Sequence, residues 1–305
     1  MAYDNWGRPI TLGDRRLLRP GRLLWLRALG WLVFSIFAVA LAFGLAGQSI
    51  ADLAKGDSEP LRFAAGCAGP VIAVLVYGLL VYFGEARFPV EIAARPAVPH
   101  LVTGMALGAL MFSVTMLILI ASGLYEFHYT GLVPPWQSAG ASIEAGVIEE
   151  VLVRGLILRL MWRAFGPLAA FFVSAVAFGI GHLGNEHATW FAIVCIALEA
   201  GIMLAAFYAL TGRLWVSIGV HIGWNFAQAY AFGAVVSGQA VGSSAAVSMA
   251  RAGFPDWLTG GPFGPEASLP SVLVCSSVSA ATLWLAWNLG RFGSAKGQQP
   301  AMVPA

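Results

Sequence analysis

The sequence predicts an all-α, polytopic membrane protein with about eight transmembrane helices, and two observations predict this fold class. First, 59% of the 305 residues are hydrophobic and only 10% are charged, with a mean hydropathy of +0.78. This balance lies far outside that of soluble globular domains. Second, apolar runs of about 20 residues, the length that crosses a bilayer as a helix, recur between short polar or Gly- and Pro-rich connections. Bilayer lipid is therefore the expected partner of nearly the whole chain.

The apolar runs divide the chain into three regions. Residues 1–23 form a basic leader, 24–292 a membrane-embedded domain, and 293–305 a small, polar tail that we expect to be disordered. Eight segments are predicted to span the membrane, and they are Leu24–Gly47, Phe63–Phe83, Leu101–Ala121, Ala139–Arg163, Pro167–His182, Thr189–Leu210, Leu214–Val236 and Leu269–Leu289. An even number of spans places both termini on the same side.

The positions of Lys and Arg predict on which side of the membrane the two termini lie. With the N-terminus inside, thirteen basic residues fall on the cytoplasmic side and three on the outer side. Basic residues concentrate in cytoplasmic loops, so both termini are predicted to be cytoplasmic. The excess of Arg over Lys is typical of a GC-rich bacterial genome, which predicts a bacterial inner membrane. Net charge is only +2, and no nucleic-acid partner is expected.

Ionisable side chains cluster in the fourth to seventh predicted spans. Such a group costs several kcal/mol in a bilayer unless it is paired or hydrated, so each one is a functional-site hypothesis. The polar residues of these spans are Glu144, Glu149, Glu150, Arg154, His182, Glu199, His221 and Asn225. A structural alternative is a buried ion network that only fixes helix packing.

Helical spacing divides the acidic residues of the fourth span into two roles. Glu150 and Arg154 are four residues apart, so they share a helix face in the favourable acid-first order and are predicted to pair. Glu149 is rotated away from Arg154 and has no local partner, which leaves its carboxylate free to act on another group.

Two histidine motifs complete the set. Phe178 lies one helical turn before His182, and His221 shares a helix face with Asn225. A carboxylate, two imidazoles and an amide are the groups needed to activate a water molecule and stabilise an oxyanion. Counting residues along the spans places His182 nearer the outer side than His221, so we expect helix tilt or register to bring them together.

These residues resemble the CPBP family of intramembrane proteases, also called the Abi family, which includes CAAX proteases and bacteriocin-processing proteins. The family is marked by EExxxR, FxxxH and HxxxN or HxxxD helices. Glu149-Glu150 with Arg154, Phe178 with His182, and His221 with Asn225 match these motifs in order and spacing. The resemblance covers residues 139–236, and the loops are more similar to the bacterial branch than to the eukaryotic prenyl-protein enzymes.

The resemblance implies a bundle of eight helices around a water-accessible catalytic cavity, and an intramembrane endopeptidase acting on membrane-anchored or hydrophobic peptides. It implies that Glu149 and His182 activate water, that His221 and Asn225 hold the oxyanion, and that Glu150 and Arg154 support the site. No cofactor is favoured. Zn²⁺ held by Glu149, His182 and His221 is the alternative, although the sequence contains no HExxH.

Several questions stay open at this point. A non-enzymatic membrane factor on the same fold, such as an immunity or secretion-assisting protein, is the alternative function, and a transporter is a further one. The sequence does not identify the substrate, the oligomeric state or the roles of Glu144 and the 237–268 loop. For Glu199, a buried hydrogen bond to a neighbouring helix is the favoured interpretation.

Overall fold

The computed structural model describes residues 7–54, 56 and 58–292. The predicted disordered tail, 293–305, and the first six residues of the leader lie outside this part. Its helices and strands, in chain order, are α1 (Leu24–Leu53), α2 (Glu59–Gly66), α3 (Ala68–Glu85), α4 (Ala97–Ala121), β1 (Tyr125–Tyr129), α5 (Trp136–Glu150), α6 (Arg159–Phe165), α7 (Pro167–Gly181), α8 (Trp190–Ile196), α9 (Ile202–Thr211), α10 (Leu214–Phe226), β2 (Ala246–Ala250), α11 (Asp256–Thr259) and α12 (Leu269–Asn288). Three π-helical segments, Val151–Leu158, Ala197–Gly201 and Ala227–Ala231, join or extend these helices.

Helices long and apolar enough to cross a membrane account for five of the eight predicted spans. They are Leu24–Gly47, Glu59–Glu85, Ala97–Ala121, Trp190–Thr211 and Leu269–Asn288. The helix Pro167–Gly181 is apolar but shorter. The other two predicted spans are helical but contain the polar motifs, which lower their hydropathy. The chain is therefore a helical integral membrane protein.

The described part of the leader packs against the helix ends instead of standing apart from them. Ile10, Leu12 and Leu18 are buried, and the Arg8 amide donates to the Thr211 carbonyl at 3.0 Å. Gly212 has a left-handed φ of 59°, and a Cβ there would lie 2.3 Å from the Arg8 carbonyl oxygen. This close contact fixes the leader across the turn between α9 and α10.

A cluster of two carboxylates and two guanidiniums is buried at the same end of the bundle. Arg159 donates to both oxygens of Glu85 at 2.7 and 2.8 Å. Arg87 joins Glu85 to Glu91 through bonds of 2.7 and 2.8 Å, and the Tyr77 hydroxyl also donates to Glu91. The formal charges of this paired cluster, Glu85, Arg87, Glu91 and Arg159, sum to zero, as a buried ionic network requires.

Helices α4 and α10 cross with their backbones in contact. A Cβ at Gly108 would lie 2.0 Å from the Val220 carbonyl oxygen, and one at Gly223 would lie 2.1 Å from that of Met105. Small residues allow such an approach between membrane helices. The order of these contacts shows that α4 and α10 run parallel, so their C-terminal ends meet at one end of the bundle.

Strands β1 and β2 pair at that end as a two-stranded antiparallel sheet, with Tyr125 opposite Ala250 and Tyr129 opposite Ala246. The fold is mostly helical, as predicted, but this short sheet was not predicted from the sequence. β2 lies in the 237–268 segment, which was predicted to be a loop, and its partner follows α4 by only a short turn. The pairing joins residues more than a hundred positions apart, so no local pattern could predict it.

Candidate active site

Glu149 and Glu150 lie at the junction where the α-helical spacing of α5 changes to the π-helical segment Val151–Leu158. The two carboxylates point to different surroundings. The Glu150 side chain is fully buried, whereas that of Glu149 is 32% exposed. π-Helical turns occur frequently at functional sites, where they change the direction of a side chain.

Glu150 connects two of the predicted site residues. Its Oε1 accepts a hydrogen bond from Arg154 NH1 at 2.8 Å, as the four-residue spacing predicts, and lies 3.2 Å from Nδ1 of His221. Glu150 Oε2 is buried and has no hydrogen-bond partner among the described residues. The carboxylate therefore orients the His221 ring and stabilises a proton on its Nδ1.

Arg154 holds this part of the site against two other helices. Its NH2 donates to the carbonyls of Ala200 and Gly201 at 2.7 and 3.2 Å, at the end of a π-helical segment. Its guanidinium also lies 4.4 Å from the centre of the Phe178 ring. Charge–aromatic contacts of this type are strongest when, as here, water is excluded. Phe178 thereby acquires a role in the site that its motif alone did not explain.

His182 faces Glu149 from the C-terminal end of α7. Its Nδ1 lies 2.8 Å from the Phe178 carbonyl oxygen, which can only accept, so Nδ1 carries a proton. Its Nε2 lies 3.9 Å from Oε2 of Glu149, a buried oxygen without a hydrogen-bond partner among the described residues. A water molecule that donates one hydrogen bond of about 2.8 Å to each of two atoms holds them about 4.4 Å apart. The 3.9 Å gap is close to this separation, so a small movement of either side chain admits a bridging water.

The Phe178 ring shows how the two histidines come together in spite of their different positions along the spans. Its centre lies 5.0 Å from that of His182 and 6.0 Å from that of His221. α7 packs against the π-helical segments Val151–Leu158 and Ala197–Gly201. Two histidines that their positions along the spans placed at different depths therefore lie beside one aromatic ring.

A chamber of about 450 Å³ brings the remaining predicted residues together. Its walls include Glu149, His182, His221 and Asn225, and polar side chains from the first turns of α5. Within the part of the chain that the structure describes, no hydrogen bond involves the Asn225 side chain, so its amide is available to a ligand. The chamber is large enough for several residues of a peptide, and its lining is close to half polar.

A smaller cavity of about 30 Å³ lies behind the two histidines, with room for about two water molecules. It contains two carboxyl groups, Glu199 and Glu266, both 2% exposed. Ser271 on α12 donates to Glu199 at 2.5 Å, which agrees with the hydrogen bond to a neighbouring helix favoured from the sequence. Burial raises the pKa of Glu266, which lies in the segment between α11 and α12.

Sequence reasoning missed the residues that come from outside the three motifs. Glu266 and the 236–242 loop follow long connections with no helical periodicity to place them. Asn185, three residues after His182, also lines the chamber, and its polar side chain just past a membrane helix was a usable signal. Glu144 lies apart from the chamber, in a neighbouring cavity with Trp136.

The donor atoms do not fit a metal ion as they are placed. Among the described residues, no group of three His, Cys, Asp or Glu side chains converges closely enough to hold one. A tetrahedral zinc site needs at least three ligands at about 2.0–2.3 Å from one point. His221 already directs Nδ1 to Glu150, and only Glu149 and His182 face each other directly.

One family model matches this chain, and it covers the site. Residues 130–227, about a third of the chain, match the family described as type II CAAX prenyl endopeptidase Rce1-like. The matched region contains all six predicted site residues, and the resemblance inferred from the three motifs is confirmed for it. No curated protein and no solved structure matched the chain.

Proposed function

We propose that this chain, whose residues 130–227 are an Rce1-like domain, is an intramembrane endopeptidase that hydrolyses peptide bonds of membrane-associated proteins or peptides. The observation that carries the proposal is the 3.9 Å gap between Glu149 Oε2 and His182 Nε2 at the wall of a polar chamber. A partly exposed carboxylate facing an oriented imidazole is an arrangement that binds and deprotonates water.

Water activation follows from the hydrogen-bond directions around the gap. His182 donates through Nδ1 to the Phe178 carbonyl, so its Nε2 lone pair accepts one hydrogen of the water and orients it. Glu149 takes the other proton as the water oxygen bonds to the scissile carbonyl carbon. The carbon–nitrogen bond then breaks, and Glu149 returns the proton to the leaving nitrogen, which yields one carboxyl and one amine product.

The oxyanion is held on the opposite wall. Glu150 accepts from Nδ1 of His221, and when both ring nitrogens carry a proton the Nε2–H donates to the oxyanion. Asn225, one helical turn further along α10, supplies an amide N–H. Donors already oriented toward a developing charge typically contribute a hundred- to a thousandfold in rate each. Arg154 supports this wall by pairing with Glu150 and holding it in place.

We propose a metal-free reaction, because the three residues that would hold Zn²⁺ are arranged for two separate tasks. Glu149 and His182 share one water-sized gap, and His221 is bound to Glu150 on the other wall. A carboxylate and an imidazole are sufficient to deprotonate water without a Lewis acid. No step of the mechanism depends on a metal.

Helix directions support eight membrane spans. α4 and α10 run parallel, whereas Gly146 of α5 contacts Ile222 and Gly155 contacts Leu214, which makes the fourth and seventh predicted spans antiparallel. Ser217 donates to the Leu204 carbonyl, so the sixth and seventh are antiparallel as well. From the third to the seventh span, these directions are those expected if the chain crosses the bilayer at each one. With the basic residues inside, both termini face the cytoplasm of a bacterial inner membrane.

The test compares the wild type with Glu149→Gln in liposomes that contain a mixed library of prenylated, acylated and transmembrane peptides, with new peptide termini read by mass spectrometry. The wild type should cleave a subset, and Glu149→Gln should cleave it at least a hundredfold more slowly. Glu144→Gln, on the same helix but outside the chamber, is the matched control and should cleave normally.

Two results would contradict the proposal. If Glu149→Gln cleaves as fast as the wild type, the chamber is not the site of hydrolysis. If a chelator stops the wild type and Zn²⁺ restores it, the metal-free mechanism is wrong, although proteolysis itself stands.

A further inference from the structure

The chamber wall beside the first turn of α5 includes a short segment of backbone, residues Gln239–Gly242, which we name the chamber strand. Gln239, Ala240 and Gly242 are exposed, and all four residues line the chamber that contains Glu149 and Asn225. The proposed function uses no atom of this segment.

Both ends of the chamber strand are anchored. Before it, Asn185 Nδ2 donates to the Ser237 carbonyl at 2.9 Å, and the Gly238 amide donates to the Phe263 carbonyl at 2.7 Å. After it, the Ser138 hydroxyl on α5 donates to the Ser243 carbonyl at 2.8 Å. The segment is therefore held in place along the chamber wall before any ligand binds, and this lowers the entropy cost of binding.

Close packing at Gly238 fixes the path of the backbone that leads into the chamber strand. It has a φ of 80°, and a Cβ there would lie 1.9 Å from the Glu186 carbonyl oxygen. Only glycine fits such a contact at such a φ. The turn that leads into the chamber strand is fixed by these two requirements together.

Three of the four residues of the chamber strand leave their backbone groups unused. Gln239 is the exception, because it and Val236 bond to each other through both of their backbone groups at 2.7 and 3.0 Å. For Ala240, Val241 and Gly242, no backbone hydrogen bond is formed with any part of the chain that the structure describes. Their free N–H and C=O groups at the wall of a cavity can pair with the main chain of a peptide, as those at the edge of a sheet do.

We propose that the chamber strand binds the substrate by β-strand addition, so that an extended peptide segment lies along Ala240–Gly242 with its scissile carbonyl at Glu149. This inference rests on the proposed function and specifies its substrate class. Main-chain hydrogen bonds then supply affinity that is independent of side-chain sequence. The ligand must be extended, so a segment that is helical in the membrane has to unwind before it binds.

Strand geometry makes the proposal specific. In an antiparallel pair, a residue that exchanges both hydrogen bonds alternates with one that exchanges none. Either Val241, or Ala240 and Gly242, therefore bonds to the substrate. Proline lacks the N–H, so Ala240→Pro and Val241→Pro should differ, and only one of them should weaken binding strongly.

The experiment measures binding without turnover. Glu149→Gln in detergent is mixed with a pool of palmitoylated decapeptides of randomised sequence that carry a benzophenone, and the cross-linked protein residues are mapped by mass spectrometry. Cross-links should concentrate on residues 239–242. Peptides N-methylated at every second residue, tested in both registers, should lose cross-linking about tenfold in one register only.

The proline variants are then compared with a matched control. Ala252→Pro introduces the same residue into an exposed turn of the same connection, away from the chamber, and should cross-link like the parent. Either Ala240→Pro or Val241→Pro, but not both, should reduce cross-linking several-fold. The N-methylated peptides test the same contact on the unaltered protein if a proline variant does not fold.

The outcomes separate this inference from the proposed hydrolysis. If cross-linking depends on the register but the wild type cleaves nothing, substrate binding by β-strand addition is supported and the proposed proteolysis is contradicted. If the wild type cleaves, but cross-linking is equal in both N-methylated registers or falls elsewhere, β-strand addition is overturned and the proposed proteolysis stands. If there is neither cleavage nor register-dependent cross-linking, both proposals are overturned.

Discussion

Two buried groups of charges in this molecule differ in how completely their atoms are paired. In the paired cluster of Glu85, Arg87, Glu91 and Arg159, every carboxylate oxygen accepts at least one hydrogen bond. In the site, Glu149 Oε2, which borders the chamber, and Glu150 Oε2 and Arg154 Nε, which do not line it, are buried without partners among the described residues. Arg159 of the paired cluster and these three site residues lie on the same predicted span, Ala139–Arg163.

The difference indicates what each group is for. A buried polar atom without a partner costs about 1–3 kcal/mol, so a network that serves only the fold is expected to be complete. Unused hydrogen-bonding capacity is expected where a ligand supplies the missing partners, and under the proposed function these partners are water and a peptide. We therefore propose that the paired cluster serves stability and that Glu149, Glu150 and Arg154 serve the reaction.

The largest expected effect is on stability, from Arg159→Ala. This change leaves Glu85 with one guanidinium in place of two, in a fully buried position, and should cost about 3–5 kcal/mol or prevent folding. Thermal unfolding in detergent measures the loss. Arg154→Ala should also destabilise the protein, but it should lower the cleavage rate of the folded fraction as well, because Arg154 holds Glu150.

If Arg159→Ala is as stable as the wild type, the paired cluster does not stabilise the fold, and the proposed role is wrong. A cleavage rate per folded molecule that falls equally in both variants would mean that the two groups of charges are not functionally distinct.

The second effect is on rate, from Asn225→Ala. Loss of one oxyanion donor should reduce kcat about a hundred- to a thousandfold and leave the unfolding temperature nearly unchanged, because the amide has no partner in the described structure. Steady-state kinetics on a peptide found in the library assay measures it. A rise in KM alone would show that Asn225 binds substrate but does not stabilise the transition state.

The third effect is on the pH dependence of stability. Burial would raise the pKa of Glu91, but the adjacent Arg87 guanidinium lowers it from an ordinary 4.5 to about 2. Because the folded pKa is the lower one, the stabilisation is fully present above about pH 4.5 and is lost as the pH falls toward 2, by about 3 kcal/mol in total.

Unfolding temperatures measured across this acid range should therefore fall for the wild type. Glu91→Gln should start from a lower unfolding temperature and show a flatter profile. A wild-type profile that does not change between about pH 5 and pH 3 would mean that the ion pair contributes nothing to folding.

Local side-chain pairing was more predictable from the sequence than the long-range packing around it. The spacing of Glu150 and Arg154 predicted their pairing, because helical periodicity is a local property that a sequence displays directly. Four motif residues, Glu149, His182, His221 and Asn225, line one chamber, but the motifs did not predict that Phe178 would contact Arg154 and both histidines.

Long-range pairings could not be read from the sequence. Glu85 and Arg159 are 74 residues apart, and each looked like an ordinary charge at the end of a span. The chamber strand lies in a connection whose composition predicted only a loop. Gln228 illustrates the limit: it continues the polar stripe of His221 and Asn225, yet its Nε2 donates to the Val235 carbonyl at 2.6 Å and supports the loop instead of the site.

The most direct test of the division between fold and reaction is the thermal stability of Glu149→Gln beside Glu85→Gln, measured in the same detergent. Glu149→Gln should unfold within about 1 kcal/mol of the wild type, because its Oε2 has no partner to lose, whereas Glu85→Gln should lose about 3–5 kcal/mol. An equally large loss for Glu149→Gln would make Glu149 a structural residue and contradict the assignment of the chamber to catalysis.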